Sequence, residues 1–340
     1  MAKVICFGEI MLRLSPNGYS RFVQANNFDA IYGGGEANVA VSLANFNIKS
    51  SFVTKLPKNE LGQAALNDLR KFGVDTSFIS RGGERLGIYF LEKGASQRPS
   101  KVIYDRKYSS ISQATAEDFD WQKIFDGSEW FHFTGITPAL SDNATEITLI
   151  ACKTAKKLGL KVSCDLNYRK NLWTTDRANQ VMSGIMKYVD VCIANEEDSE
   201  KVFGIKADDT NVSDGKLSHI GYQSVAKQLK AKFGFEQVAI TLRGSISASD
   251  NNWAAMLYDG KEFCFSKTYP IHVVDRVGGG DSFGAGLIYS MLNNYSSQDI
   301  IEFAVAASCL KHSIEGDVNH VTVDEVNALA LGDGSGRIQR

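Results

Sequence analysis

The sequence predicts an α/β domain on a mainly parallel sheet, with a small β-sheet accessory above it. Three observations carry this. Strand-like apolar runs alternate with runs that repeat apolar residues at helical spacing. Those strand-like runs are apolar throughout, which suits strands covered on both faces. Two stretches with strand and turn chemistry, "RLSPNGYSRFVQANNFDAIYG" and "RLGIYFLEKGASQRPSKVIYDRKYS", interrupt the rhythm and read as β insertions above the strand ends.

In chain order, "VICFG" reads as a strand and "EANVAVSLANFN" as a helix. "SFVTKL" is the next strand, and "LGQAALNDLRKFG" a helix closed by Gly73. "WFHFTG", "KVSCDLN", "DVCIANE" and "QVAITLRG" follow as strands, with helices such as "ITLIACKTAKKLG" between them. After the glycine-rich "VVDRVGGGDSFGAG" come helical runs, "LIYSMLNN", "IIEFAVAASCLKH" and "VDEVNALAL".

Composition removes several classes of function. With 37 basic and 39 acidic residues the net charge is −2, too little field to attract nucleic acid or an anionic membrane. No apolar run reaches a membrane-spanning length, and "MAKVICFGEI" starts directly on a strand-like run without a signal-peptide pattern. Cys6, Cys152, Cys164, Cys192, Cys264 and Cys309 form no CxxC pair and read as reduced core thiols, so a cytoplasmic protein is expected. The sequons at Asn143, Asn211 and Asn294 then carry no meaning. The histidines His132, His219, His272, His312 and His320 show no metal-ligand spacing. A small-molecule partner remains.

The stretch Gly278–Gly286 admits three chemistries. Its glycine spacing is not GxGxxG, and no Walker A loop occurs anywhere, so nucleotide binding of those types is excluded. "GDSFG" matches a G-x-S-x-G nucleophile elbow with Ser282 as nucleophile, yet mainly helices follow it, where a hydrolase sheet needs further strands. In the third reading, bare N–H groups of Gly278, Gly279 and Gly280 open a helix as an anion hole, and Asp281 beside them is a base for an attacking hydroxyl. On this stretch alone a plain helix cap is the safer reading of Asp281.

"DRVGGGDSFGAG" resembles the C-terminal signature of the ribokinase-like (PfkB-type) carbohydrate kinases, DTxGAGDxFxxG. "GGGEANVAVSLANFN" is similar to their N-terminal glycine pair followed by an asparagine, through Gly33, Gly34 and Asn38. "ANEED" is similar to their asparagine–acid element. The resemblance runs from "VICFGEI" to "EGDVNHVTVDEV" and implies a three-layer α/β sandwich. It implies one domain over 1–332, a β lid from about 12–32 and 85–110, and a tail over 333–340.

The form of the motifs "GEIMLRLSP", "LNYR" and "LKHSIEGDVNHV" is similar to the 2-keto-3-deoxygluconate kinases, with a fructokinase or other neutral-sugar kinase as the alternative. A substrate carboxylate needs a fixed cation, and guanidinium is the better fork for it. The resemblance implies Gly34, Asn38, Tyr89, Tyr104, Arg106 and Arg169 around the sugar acid, and Asp281 with Gly278–Gly280 at the transferring phosphoryl group. It further implies ATP along Asn195, Thr241, Arg243 and Gly244, with Ala307 to Asn319 near the adenine. Mg²⁺ is expected near Glu197 or Asp198, where the family's NxxE reads Asn195-Glu196-Glu197-Asp198, and a monovalent cation such as K⁺ at Asp275. Arg276 and Gly279 stand where the family more often has Thr and Ala. A homo-oligomer pairing through exposed lid strands is expected.

Overall fold

The computed structural model describes residues 3–195, 197–206 and 219–334; the Asn211 sequon, Glu196 and residues 335–340 of the tail lie outside them. A nine-stranded sheet forms the body. Its parallel part runs Lys49–Val53, Lys3–Phe7, Trp130–Thr134, Lys161–Asp165, Val191–Ala194 and Gln237–Ser245, neighbour to neighbour. Each of these is a run read as a strand from its apolar character.

Alternation within a strand shows why both faces are covered. Ile5 and Phe7 pack into one apolar cluster, with Phe119, Trp121, Phe125, Phe131 and Phe133. Val4 and Cys6, one residue out of phase, pack into another with the helix Gly35–Asn45 and with Ile288 and Phe303. Successive side chains of a strand point to opposite faces, so helices must lie on both. The result is three layers.

Beyond Gln237–Ser245 the sheet turns antiparallel. Asp250–Tyr258 pairs back on it, and Phe263–Phe265 and Tyr269–His272 both pair on Asp250–Tyr258. The βα rhythm does not foreshadow this edge. The first reversal is the tight turn at 246–249, and the second is signalled by "YDGKEF", where Gly260 takes φ +94°.

The two insertions form a separate four-stranded sheet, ordered Asp29–Gly33, Met11–Ser15, Gly87–Glu92, Lys101–Asp105. Every residue of the outer strand Lys101–Asp105 is exposed. Among the described residues no helix is long and apolar enough to cross a membrane, and all six cysteines are unpaired thiols.

The helix Gly279–Leu292 packs against Ser297–Lys311 at very close range. A Cβ on Gly286 would stand 2.8 Å from the Ala304 Cα. Gly286→Val must therefore push two buried helices apart, and the expected cost is about 1–3 kcal/mol of stability. Urea unfolding of the variant checks this; an unchanged midpoint contradicts it.

Candidate active site

A cleft of about 410 Å³ lies between the C-terminal ends of the parallel strands and the underside of the small sheet. Open α/β sheets bind ligands at this end, because the loops that follow the strands meet there. Gly34, Asn38, Tyr89, Tyr104, Arg106, Arg169, Asn195, Asp198, Thr241, Arg243, Gly278, Gly280 and Asp281 all line it. Segments far apart in the chain thus meet in one place.

Asp281 sits in the first turn of Gly279–Leu292, whose cap is Gly278. Gly278 takes φ +83°, and a Cβ there would meet the Asp317 carbonyl oxygen at 1.8 Å, so only glycine fits. A Cβ on Gly280 would meet nothing within 4 Å: its space opens on the cleft. Gly279 differs. Its Cβ would strike the His312 ring, so it faces the protein and not the cleft. The turn is pinned from behind, since Ser308 Oγ donates to the Gly279 carbonyl at 2.7 Å.

Asn38 fixes the base from the other side. Its Nδ2 donates to Asp281 Oδ2 at 2.7 Å, and its Oδ1 accepts from the Gly34 N–H at 3.3 Å. Burial pushes the Asp281 carboxyl up to about 7; the Asn38 hydrogen bond and Arg169 pull down, while Glu36 and Asp317 add upward pressure. A carboxyl that titrates near neutrality is suited to taking a proton from a hydroxyl. Helix capping alone does not account for it, because among the described residues the hydrogen bond its side chain accepts comes from Asn38.

Glu36 belongs to the site although sequence reasoning passed over it. It is buried, and its Oε1 accepts from the Thr134 N–H (2.9 Å), Thr134 Oγ1 (2.8 Å) and Thr137 Oγ1 (2.6 Å). Asp165 was likewise missed. It ends the strand Lys161–Asp165 and lines the cleft, and burial with the charges of Asp198 and Asp281 holds its carboxyl well above the ordinary range. An acid closing an apolar strand, or following a glycine run, was the available signal.

Arg169 follows that strand through a turn in which Asn167 adopts φ +40°. Among the described residues its hydrogen bond runs to the Tyr168 carbonyl, at 3.0 Å, and it enters no ion pair. Arg106 is different from the expected open fork. Its Nε donates to Glu9 Oε2 at 2.8 Å, its Nη2 pairs with the same oxygen, and Ser109 Oγ donates to Glu9 Oε1 at 2.6 Å. Only Nη1 lies outside that pair. The Tyr104 ring lies tilted at 6.0 Å from that of Tyr89 and under the Arg106 guanidinium.

Asp198 faces the cleft and Glu197 does not. The Asp198 oxygens accept from the Tyr168 and Asn195 N–H groups, both at 3.1 Å, while burial raises its carboxyl. Three expectations meet a different geometry. Ala307 is fully buried within its helix, and Asn319 is buried with its Nδ2 on Ser282 Oγ at 2.6 Å, so neither lines the cleft. Gly244 lies in a strand pair opposite Asn252, off the cleft wall. Asp275 is locked by Arg13 at 2.6 Å. Ser282 is itself 0 % exposed and accepts from Asn319, which removes it as a nucleophile.

A carboxylate largely withdrawn from water destabilises the fold once it must ionise. The folded value for Asp281 is about 7 against an ordinary 3.8, so stability is lost as pH rises through that window. Asp281→Asn should therefore melt higher than the parent at pH 8, with the advantage gone below about pH 4. A melting difference independent of pH contradicts the titration assigned to Asp281.

Residues 1–322 match the model of the pfkB family carbohydrate kinases. A 2-dehydro-3-deoxygluconokinase structure from Thermotoga maritima is 53% identical, with a TM-score of 0.95 over 98% of this chain and 100% of that one. A 2-dehydro-3-deoxygalactonokinase of Haloferax volcanii is 29% identical over 98% of both chains. The 2-dehydro-3-deoxygluconokinase of Bacillus subtilis is 27% identical over 96% of this chain and 94% of its own. The family match takes in most of the chain, the glycine turn and Asp281 included, and the chain belongs to the pfkB family of carbohydrate kinases.

Proposed function

We propose that this chain transfers the γ-phosphoryl group of ATP to the terminal hydroxyl of 2-keto-3-deoxygluconate, giving the 6-phosphate. The observation that carries the reading is Asp281: a half-buried acid of the cleft, pushed up to about 7 by desolvation, between Asn38 and a glycine turn open to the cleft. The substrate class rests on the cationic side chains of that cleft and on the 53% identity to the Thermotoga maritima structure over nearly the whole chain.

Asp281 accepts the hydroxyl proton as the oxygen attacks. The N–H groups of the turn, at the positive end of a helix of 14 residues, offset charge on the transferring group. Gly280 leaves the room for that group, whereas Gly279 serves by fitting against His312. Gly34, Asn38, Tyr89 and Tyr104 frame the sugar. Arg169 supplies the principal cation for its carboxylate, and Arg106, tied to Glu9, contributes through Nη1 and by holding Tyr104. Thr241, Arg243 and Asn195 line the wall on which the triphosphate lies.

Among the described residues no three carboxylate, histidine or cysteine side chains converge as a metal cage. Asp198, buried, and Asp165, half-buried, are acids of the cleft wall and would hold a Mg²⁺, which would supply positive charge beside the triphosphate. Such an ion neutralises phosphate charge during transfer. Unpaired cysteines suit a cytoplasmic setting. The exposed strand Lys101–Asp105 is the edge through which we expect a homo-oligomer to pair.

A neutral sugar such as fructose is the second reading, favoured by one observation: Glu9 already neutralises Arg106. Kinetics separates the two. Arg169→Ala should lower kcat/KM for the sugar acid by roughly ten- to a hundredfold, with the KM for ATP little changed. Lysine should rescue poorly, and discrimination against fructose should fall with the same substitution. A parent enzyme that prefers fructose sinks the sugar-acid assignment.

The base makes a separate prediction. The kcat/KM of the parent should climb through an acidic limb near pH 7, as Asp281 loses its proton. Asp281→Asn should lower kcat by ~10²–10⁴-fold and abolish that limb, with substrate binding retained. Unchanged turnover returns Asp281 to the role of a helix residue.

A further inference from the structure

Lys311 is a charged side chain that the mechanism leaves unused. It is the last residue of the helix Ser297–Lys311 and is 0 % exposed. Its Nζ donates to the Ile314 carbonyl at 3.1 Å and to the Asp275 carbonyl at 3.5 Å. Its Cε passes 3.3 Å from the place a Cβ on Gly278 would occupy. The side chain therefore runs directly behind the glycine turn whose other face opens on the cleft. Burial pulls the ammonium below its ordinary value; Asp275, Asp317 and Asp281 act against this, and Arg13 acts with it.

The family resemblance implies a monovalent cation at Asp275, and the residues present do not fit one. Oδ2 of Asp275 accepts from Arg13 at 2.6 Å and from the Gly316 N–H at 3.3 Å, and Oδ1 accepts from the Val277 N–H at 3.1 Å. The backbone oxygen of Asp275 accepts from Lys311. A further cation there would face both Arg13 and Lys311 in a dry interior, where like charges repel strongly.

We propose that the Lys311 ammonium is the chain's built-in replacement for that cation. It gathers the carbonyls of Asp275 and Ile314, on either side of the turn, and keeps a fixed positive charge behind Gly278–Gly280. Lys311 is thus a positioning residue. The anion site is organised without K⁺. For its catalytic consequence this rests on the kinase reading; for its structural consequence it does not.

The test exchanges the parent protein into choline chloride and titrates in KCl or RbCl at constant ionic strength, following melting and phosphotransfer. The melting midpoint should stay flat and the rate within roughly twofold, since no K⁺ site is linked to folding. A saturable rise specific to K⁺ or Rb⁺ in either readout overturns the proposal. Lys311→Ala should lower kcat about tenfold or more with the sugar-acid KM little changed, because a charge behind the anion site is gone. Rate and melting midpoint should both recover with K⁺ or methylammonium, which enter the space left. A loss that no small cation restores marks Lys311 as a structural helix end and overturns the proposal too. If Lys311→Ala does not fold, the parent titration still decides. Melting needs no turnover, so a chain that phosphorylates no sugar in any salt refutes the kinase reading while leaving this inference tested.

Discussion

Arg13 ties the small sheet of this molecule to the loops on either side of the glycine-turn helices. From the strand Met11–Ser15 of the small sheet it donates to Asp275, ahead of the glycine turn, and to Asp317, 304 residues further along, both at 2.6 Å. All three side chains are buried. Burial alone would pull the guanidinium down, but Asp317 and Asp275 hold it above its ordinary value. Tyr89, from the next strand of the same sheet, donates to Asp317 as well. Buried ion pairs are weak sources of net stability because of desolvation, and their clearer contribution is to select one arrangement. Here that arrangement places the lid over the turn and sets Tyr89, which shares Asp317 with Arg13, near Asp281.

The same burial that defines the cleft makes it electrostatically costly. Glu36, Asp198 and Asp317, all buried, and Asp165 and Asp281, half-buried, are acids around one space, and each has its carboxyl raised first by desolvation. An isolated domain gains nothing from such crowding. A site that must receive a proton, a phosphoryl group and its counter-cations does, because groups in a low-dielectric cleft respond strongly to arriving charge. Arg169 lies among these acids and lowers three of them, Asp165, Asp198 and Asp281. Its positive charge therefore balances the cleft before any ligand enters.

Much of this was legible in the sequence where the signal is contiguous. The parallel strands announce themselves by apolar runs, and the glycine turn with Asp281 by residues side by side. Asn38 was legible through the glycines before it. What the sequence hid are pairings between distant residues: Arg106 with Glu9 across 97 positions, and Arg13 with Asp275 across 262. Nothing local distinguishes Arg106 from a solvated surface charge, and its partner turns an expected open fork into a half-neutralised one. The antiparallel edge was hidden differently, since "NNWAAMLY" carries the same apolar character as a parallel strand. Direction is set by the short turn before it, where the Ile246 and Ser247 N–H groups donate to the Asp250 carbonyl. Ala307 and Asn319 were placed near a nucleotide by analogy of position, yet packing puts the first inside a helix interface and the second against Ser282.

The central claim is that the cleft selects a sugar acid over a neutral sugar, and binding to a catalytically silent protein measures this without the chemistry. Asp281→Asn is titrated calorimetrically with 2-keto-3-deoxygluconate and with fructose, each in the presence of a non-hydrolysable ATP analogue and Mg²⁺. The acid should bind tighter by at least about 1.4 kcal/mol, a factor of ten, and that margin should vanish when Arg169→Ala is added. Equal or tighter binding of fructose, or a margin that survives the loss of Arg169, contradicts the claim.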